Sequence, residues 1–77
     1  MTTPERALFV DASALVAIID QEPGWRTLVS KIEEADTRLT SPLAIWEAAN
    51  AVERLRACDL ENAARAVHAY LHAMDIS

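Results

Sequence analysis

The chain has 77 residues, of which 52% are hydrophobic, one is Gly and three are Pro, and its formal net charge at pH 7 is -5. A chain of this length makes at most one domain with one modest core, and its shortage of turn formers speaks against an all-β or disordered architecture. The acidic balance speaks against a broad basic grip on nucleic acid, which needs clustered Lys and Arg. It is compatible with an enzyme that holds a divalent cation among carboxylates and meets phosphates through that cation.

In chain order, Arg6 to Val10 reads as a first strand, because Ala7-Leu8-Phe9-Val10 is a short apolar run of the length of a buried strand. A first helix follows over about Ala12 to Gln21 and stops before Glu22-Pro23-Gly24, where Gly24 is the only glycine available for an unusual backbone angle. Trp25, Leu28, Val29 and Ile32 at helical spacing predict a second helix to about Ala35, with Lys31, Glu33, Glu34 and Asp36 on a solvated face. Thr37 to Ser41 reads as a second strand stopped by Pro42, with Ser41 capping a third helix from Pro42 to about Arg56. Asp59 is a good N-cap for a fourth helix, Leu60 to about Met74, in which Leu60, Ala64, Val67, Leu71 and Met74 form an apolar stripe.

The order strand, helix, helix, strand, helix, helix predicts an α/β fold. Two strands joined by a helical crossover lie parallel, and parallel sheets are normally larger than two strands and covered on both faces. The chain therefore reads as the first half of a larger α/β domain. Cys58 stands alone, so a reducing compartment is expected over a disulfide-bonded one. The first residues, Met1 to Arg6, lack a basic segment leading into an apolar one, and no apolar run approaches a membrane span. The cytoplasm is the expected compartment.

Asp11 carries the most information. It stands where the first strand gives way to the first helix, and in an open α/β sheet ligands bind beyond the carboxyl ends of the strands. Asp is also a favoured N-cap, so capping alone is the competing reading. On the third helix Ala48, Ala49, Ala51, Val52, Ile45 and Leu55 fill one broad apolar face, while Leu43, Glu47, Asn50 and Arg54 line another stripe. Glu47 follows the carboxyl end of the second strand and is expected on the same rim as Asp11, unless it merely faces solvent. Paired carboxylates of this kind suit Mg²⁺ or Mn²⁺.

Phe9-Val10-Asp11-Ala12-Ser13-Ala14-Leu15-Val16-Ala17 resembles the opening motif of PIN-domain ribonucleases of the VapC toxin type, and Thr40-Ser41-Pro42-Leu43-Ala44-Ile45-Trp46-Glu47-Ala48-Ala49-Asn50 resembles their second motif. The two motifs together, in this order and spacing, are fairly specific, and the resemblance runs from about Arg6 to the end of the chain. It implies a PIN-like three-layer fold with a parallel sheet, of which residues 1–77 would be the helix-rich N-terminal part. It also implies a Mg²⁺- or Mn²⁺-dependent endoribonuclease, the toxic half of a type II toxin-antitoxin pair, acting on single-stranded RNA or a tRNA loop. Asp11 matches the family's first metal-binding and catalytic Asp, Glu47 its second acidic residue, and Ser13 the hydroxyl that supports the first carboxylate; Asn50 is the further supporting residue. The family's remaining acidic residues would lie beyond Ser77, where the third strand is expected to begin, so little activity is expected of these residues alone.

The partners expected are a cognate antitoxin, RNA and a second copy in a homodimer, with no membrane. A reading from another class is a catalytically silent module that binds an antitoxin or self-associates, using apolar residues expected to be exposed on the first, second and fourth helices. His68 and His72 lie four apart on one helical face but lack further ligands for Zn²⁺. No Gly-rich loop follows the first strand, against a dinucleotide-binding fold. Trp25, Trp46 and Tyr70 could stack on bases, although aromatic residues at helical spacing more often pack in a core or an interface.

Overall fold

The computed structural model describes residues 5–77; residues 1–4, which bear on the expected lack of a leader, lie outside the described residues. The elements are β1 (Ala7–Phe9), α1 (Ala12–Ile19), α2 (Trp25–Glu34), β2 (Thr37–Leu39), α3 (Pro42–Arg56) and α4 (Leu60–Ala73), in the order predicted. The strands pair in parallel with Ala7 opposite Thr37, Leu8 opposite Arg38 and Phe9 opposite Leu39. The ladder extends past both regular strands. Thr37 donates its N–H to the Arg6 carbonyl at 3.0 Å, and Val10 donates to the Leu39 carbonyl at 2.7 Å.

The apolar run of β1 is buried on one face only. Leu8 packs against the core and Val10 is 2% exposed, whereas their alternating neighbour Phe9 is 55% exposed. Alternation is the reason: successive side chains of a strand point to opposite faces, and the helices of this chain bury just one of them. Beneath that face lies a single cluster that includes Leu15 and Ile18 of α1, Ile32 of α2, Ala48, Ala49 and Val52 of α3, and Ala63, Val67 and Leu71 of α4. Alanines at the α3 contact let helix axes approach closely, and α3 packs on both α1 and α4. Leu55, assigned by spacing to the apolar face of α3, is instead exposed near the end of that helix. In α4 the buried stripe is Ala63, Val67 and Leu71, with Ala64 and Met74 partly packed and Leu60 exposed.

Helix ends account for most of the boundary differences. α1 stops two residues earlier than its pattern predicts, because Gln21 turns left-handed at φ 51° and the backbone closes on itself. Glu22 N–H reaches the Ala17 carbonyl at 2.8 Å and Gln21 N–H the Ile18 carbonyl at 3.2 Å, the paired bonds of a Schellman cap. The same cap ends α4, with Asp75 at φ 53° and Ile76 N–H on the Leu71 carbonyl at 2.9 Å. Its apolar residue, Ile76, is buried in the core. Gly24 takes φ 91°, as its place before α2 led one to expect.

Beyond that cap the chain returns to the sheet. Ser77 N–H donates to the Arg38 carbonyl at 2.9 Å, and Thr40 N–H donates to the Ser77 carbonyl at 2.8 Å. Those two bonds are the parallel pairing pattern, made on the edge of β2 away from β1. Ser77 thus pairs with β2 on the side where the third strand is expected.

Candidate active site

Asp11 is the N-cap of α1, with extended backbone at φ -85° and ψ 174°. Its Oδ1 accepts the Ala14 N–H at 2.9 Å and the Ser13 hydroxyl at 2.7 Å. Among the described residues its other oxygen, Oδ2, receives no hydrogen bond. Capping and a ligand role are thus not rivals in this geometry: one oxygen serves the helix and the other is open. The Ala14 amide and then the Ser13 hydroxyl hold the Asp11 carboxyl below its ordinary pKa, against a small opposing effect of burial. At neutral pH it is a carboxylate.

Thr40 ties the two strand ends together. Thr40 Oγ1 donates to the Val10 carbonyl at 2.8 Å, fixing the peptide that leads into Asp11. The next residue, Ser41, caps α3 by accepting the Ala44 N–H at 3.0 Å, with Pro42 opening the first turn. Both helices thus start from adjacent parallel strands on one rim, their N-termini directed at the same side of the sheet. Such helix ends favour negative charge, by the unpaired amides and the helix dipole.

Glu47 lies on the second turn of α3 and is exposed. It lines a pocket of about 360 Å³ together with Trp46, Asn50 and Arg54. Asp11 lines a separate pocket of about 160 Å³, bounded by Phe9, Ala14, Leu28 and Lys31 among others. The two carboxylates do not share a pocket. Asn50 donates its Nδ2 to the Trp46 carbonyl at 2.8 Å, one turn back on the same helix. His68 and His72 stand exposed on α4, and among the described residues no group of three or more His, Cys, Asp or Glu side chains could hold a metal ion.

As donors, carboxylate oxygens are what Mg²⁺ and Mn²⁺ prefer, and the open Oδ2 of Asp11 fits such a cation as one ligand of a larger set. Sequence reading missed the Thr40 tie. Thr40 stands inside the second motif, but its hydroxyl meets Val10 only once the strand register is known. The exposed large apolar side chains also differ from expectation: among the described residues they are Phe9 and Leu39 on the sheet, Leu43, Trp46 and Leu55 on α3, and Leu60 on α4. Regular packing of α1 and α2 against the core explains the change.

The crossover from β1 through two helices to a parallel β2, with a capped carboxylate at the strand end, places the protein in the α/β class with its site at the carboxyl ends of the strands. The family model described as PIN domain matches residues 8–77, and the chain belongs to that family. A VapC ribonuclease of Rhizobium meliloti (strain 1021) is 47% identical over 49 residues, an alignment that covers 62% of this chain and 34% of that protein. The chain thus spans about a third of the length of the curated relative it matches. No solved structure matches it. No helix among the described residues is long and apolar enough to cross a membrane.

Proposed function

We propose that residues 1–77 are the N-terminal part of a single PIN-like domain whose whole form is a metal-dependent endoribonuclease, the toxin of a toxin-antitoxin pair acting in the cytoplasm. The observation that carries this reading is the split role of Asp11, whose Oδ1 is held by Ala14 and Ser13 while Oδ2 stays open at the rim shared with α3. The PIN family match and the likeness to a VapC ribonuclease support it.

In this reading Asp11 and Glu47 are the acidic residues that would hold Mg²⁺ or Mn²⁺. Such an ion, when bound, polarises a phosphate and lowers the pKa of a water for attack on phosphorus. Asp11 contributes a carboxylate kept ionised by the Ala14 amide and the Ser13 hydroxyl, and aimed by them. Glu47 orients a water or takes its proton, with Asn50 beside it. The further acidic ligands belong to the remainder of the domain, so residues 1–77 by themselves have little activity. RNA is the substrate, and an antitoxin protein and a second toxin copy are the partners.

The test is Mg²⁺-dependent cleavage of a single-stranded RNA by the full-length parent, with and without Asp11→Asn. Asparagine preserves the cap but offers no charge to a cation, so cleavage is expected to fall by at least a hundredfold, on the order of a lost charge-stabilising group. Equal cleavage by both proteins would sink the metal-site assignment.

A further inference from the structure

We infer that the pocket on α3 formed by Trp46, Glu47, Asn50 and Arg54 is a seat for single-stranded RNA, with Trp46 as a base-stacking platform and Arg54 as a phosphate ligand. The inference rests on the ribonuclease reading and deepens it, because Glu47 belongs to both sites. At about 100° per residue, Trp46, Asn50, Arg54 and Glu47 fall within an arc of about 100°, so all four line one stripe of the helix.

Each member of the stripe is open in the way this role requires. The Trp46 indole is 61% exposed, whereas Trp25 and Tyr70 pack against the core. An indole outside the core offers a flat face to any base, and stacking of this kind is tolerant of sequence. Arg54 makes no hydrogen bond or ion pair among the described residues, whereas Arg56 is held by Asp20 and Arg65 by Glu61. A guanidinium without a protein partner is free to take a phosphate in bidentate fashion. One N–H of the Asn50 amide is committed to the Trp46 carbonyl, which leaves its other N–H and its oxygen to meet a nucleotide, the oxygen accepting from a donor such as a ribose hydroxyl.

Spacing and charge set the direction. Trp46 and Arg54 are eight residues apart, about 12 Å along the axis. That distance corresponds to three or four stacked nucleotides at about 3.4 Å each. In a chain of net charge -5, with Glu47 between them, the free guanidinium decides where a phosphate can settle. A strand lying along α3 therefore puts a base on Trp46, a phosphate on Arg54, and the backbone between them past Glu47.

The experiment is fluorescence anisotropy of a labelled single-stranded oligoribonucleotide with the full-length parent, in chelator so that cleavage plays no part. Trp46→Ala is expected to weaken binding roughly tenfold, with Trp46→Phe intermediate. Arg54→Ala is expected to weaken it and reduce the slope of log affinity against log salt by about 0.7, while Arg54→Lys retains that slope. Thermal unfolding midpoints of all four variants should match the unaltered protein, since neither side chain is buried. Unchanged RNA affinity and salt slope in both alanine variants overturns the inference. A change confined to self-association in sedimentation overturns it as well, and makes the stripe a protein interface. Because binding is read without metal, loss of the nuclease reading, seen as equal cleavage with and without Asp11→Asn, leaves this outcome separately legible.

Discussion

Asp11 performs two jobs through two oxygens, and a pair of substitutions separates them. Asp11→Ala removes the acceptor of the Ala14 N–H at 2.9 Å and of the Ser13 hydroxyl at 2.7 Å. Loss of an N-cap to Ala costs about 1 kcal/mol. For a domain of this size that lowers the unfolding midpoint by roughly 4–8 °C. Asp11→Asn keeps an acceptor oxygen at the same place and loses only the attraction of the charge for the helix end, a few tenths of a kcal/mol at an exposed site. Thermal unfolding followed by circular dichroism at pH 7 should rank the proteins as unaltered, Asn close below it, and Ala clearly lower. The pH dependence follows from the depressed pKa of Asp11. An acid whose folded pKa lies below its unfolded value of about 4 stabilises the fold above that pH, and the contribution disappears as pH falls through the folded value. The difference between the unaltered protein and Asp11→Ala should accordingly shrink below about pH 4. If Asn is as damaging as Ala, or if Ala costs nothing, the cap is not made by Oδ1 as described. The same ranking makes Asn the proper probe of catalysis, because lost cleavage then cannot be assigned to lost folding.

Ala57 closes α3 at φ 50°, a left-handed conformation that an L-residue with a Cβ adopts at a cost. Ala57→Gly should stabilise the protein by about 0.5–1 kcal/mol, read as a higher unfolding midpoint; a lower midpoint would show that the strain is absent. The Tyr70 hydroxyl is buried without a hydrogen-bond partner among the described residues, and burial, then Glu33, raises its pKa. Tyr70→Phe should leave stability unchanged or slightly raised at pH 7, and a loss above about 1 kcal/mol would reveal a bond the hydroxyl does make. Above about pH 10 the unfolded chain ionises first, so stability should fall with rising pH in the tyrosine protein and less in the phenylalanine one.

The element order and the start of every helix were legible in the sequence, because side-chain caps mark three of the starts locally and the Pro23-Gly24 break marks that of α2. Asp11, Ser41 and Asp59 each accept an amide from the residue three positions on, which is what their type and place predicted. The end of α3 at Arg56 was legible as well, but the ends of α1 and α4 were less so, since Gln21 and Asp75 take left-handed backbone without being glycine. The Gln21 and Asp75 turns are closed by paired backbone bonds, the second with the burial of Ile76, and neither has a sequence signal of its own. The site divides in the same way. Asp11 with Ser13 is a local pair, two residues apart, which the motif resemblance alone was enough to imply. The relation of Asp11 to Glu47 depends on strand pairing and helix rotation, and spacing alone predicted a shared rim but not the separate pockets. Trp46 was one aromatic among three until packing showed which of them the core leaves out.

Thr40 gathers three distant parts of the chain at one residue: its hydroxyl reaches Val10, 30 positions away, its amide reaches Ser77, and its neighbour Ser41 opens α3. Contacts of such long sequence separation form late, because the loop between the partners must be closed before the bond repays it. α3 and α4 are neighbours in sequence and pack on each other, while the rim that carries Asp11 depends on β1 lying beside β2. The rim beside Asp11 is thus the part of the fold whose contacts span the longest loops, and the part that loop-closure entropy makes the costliest to assemble.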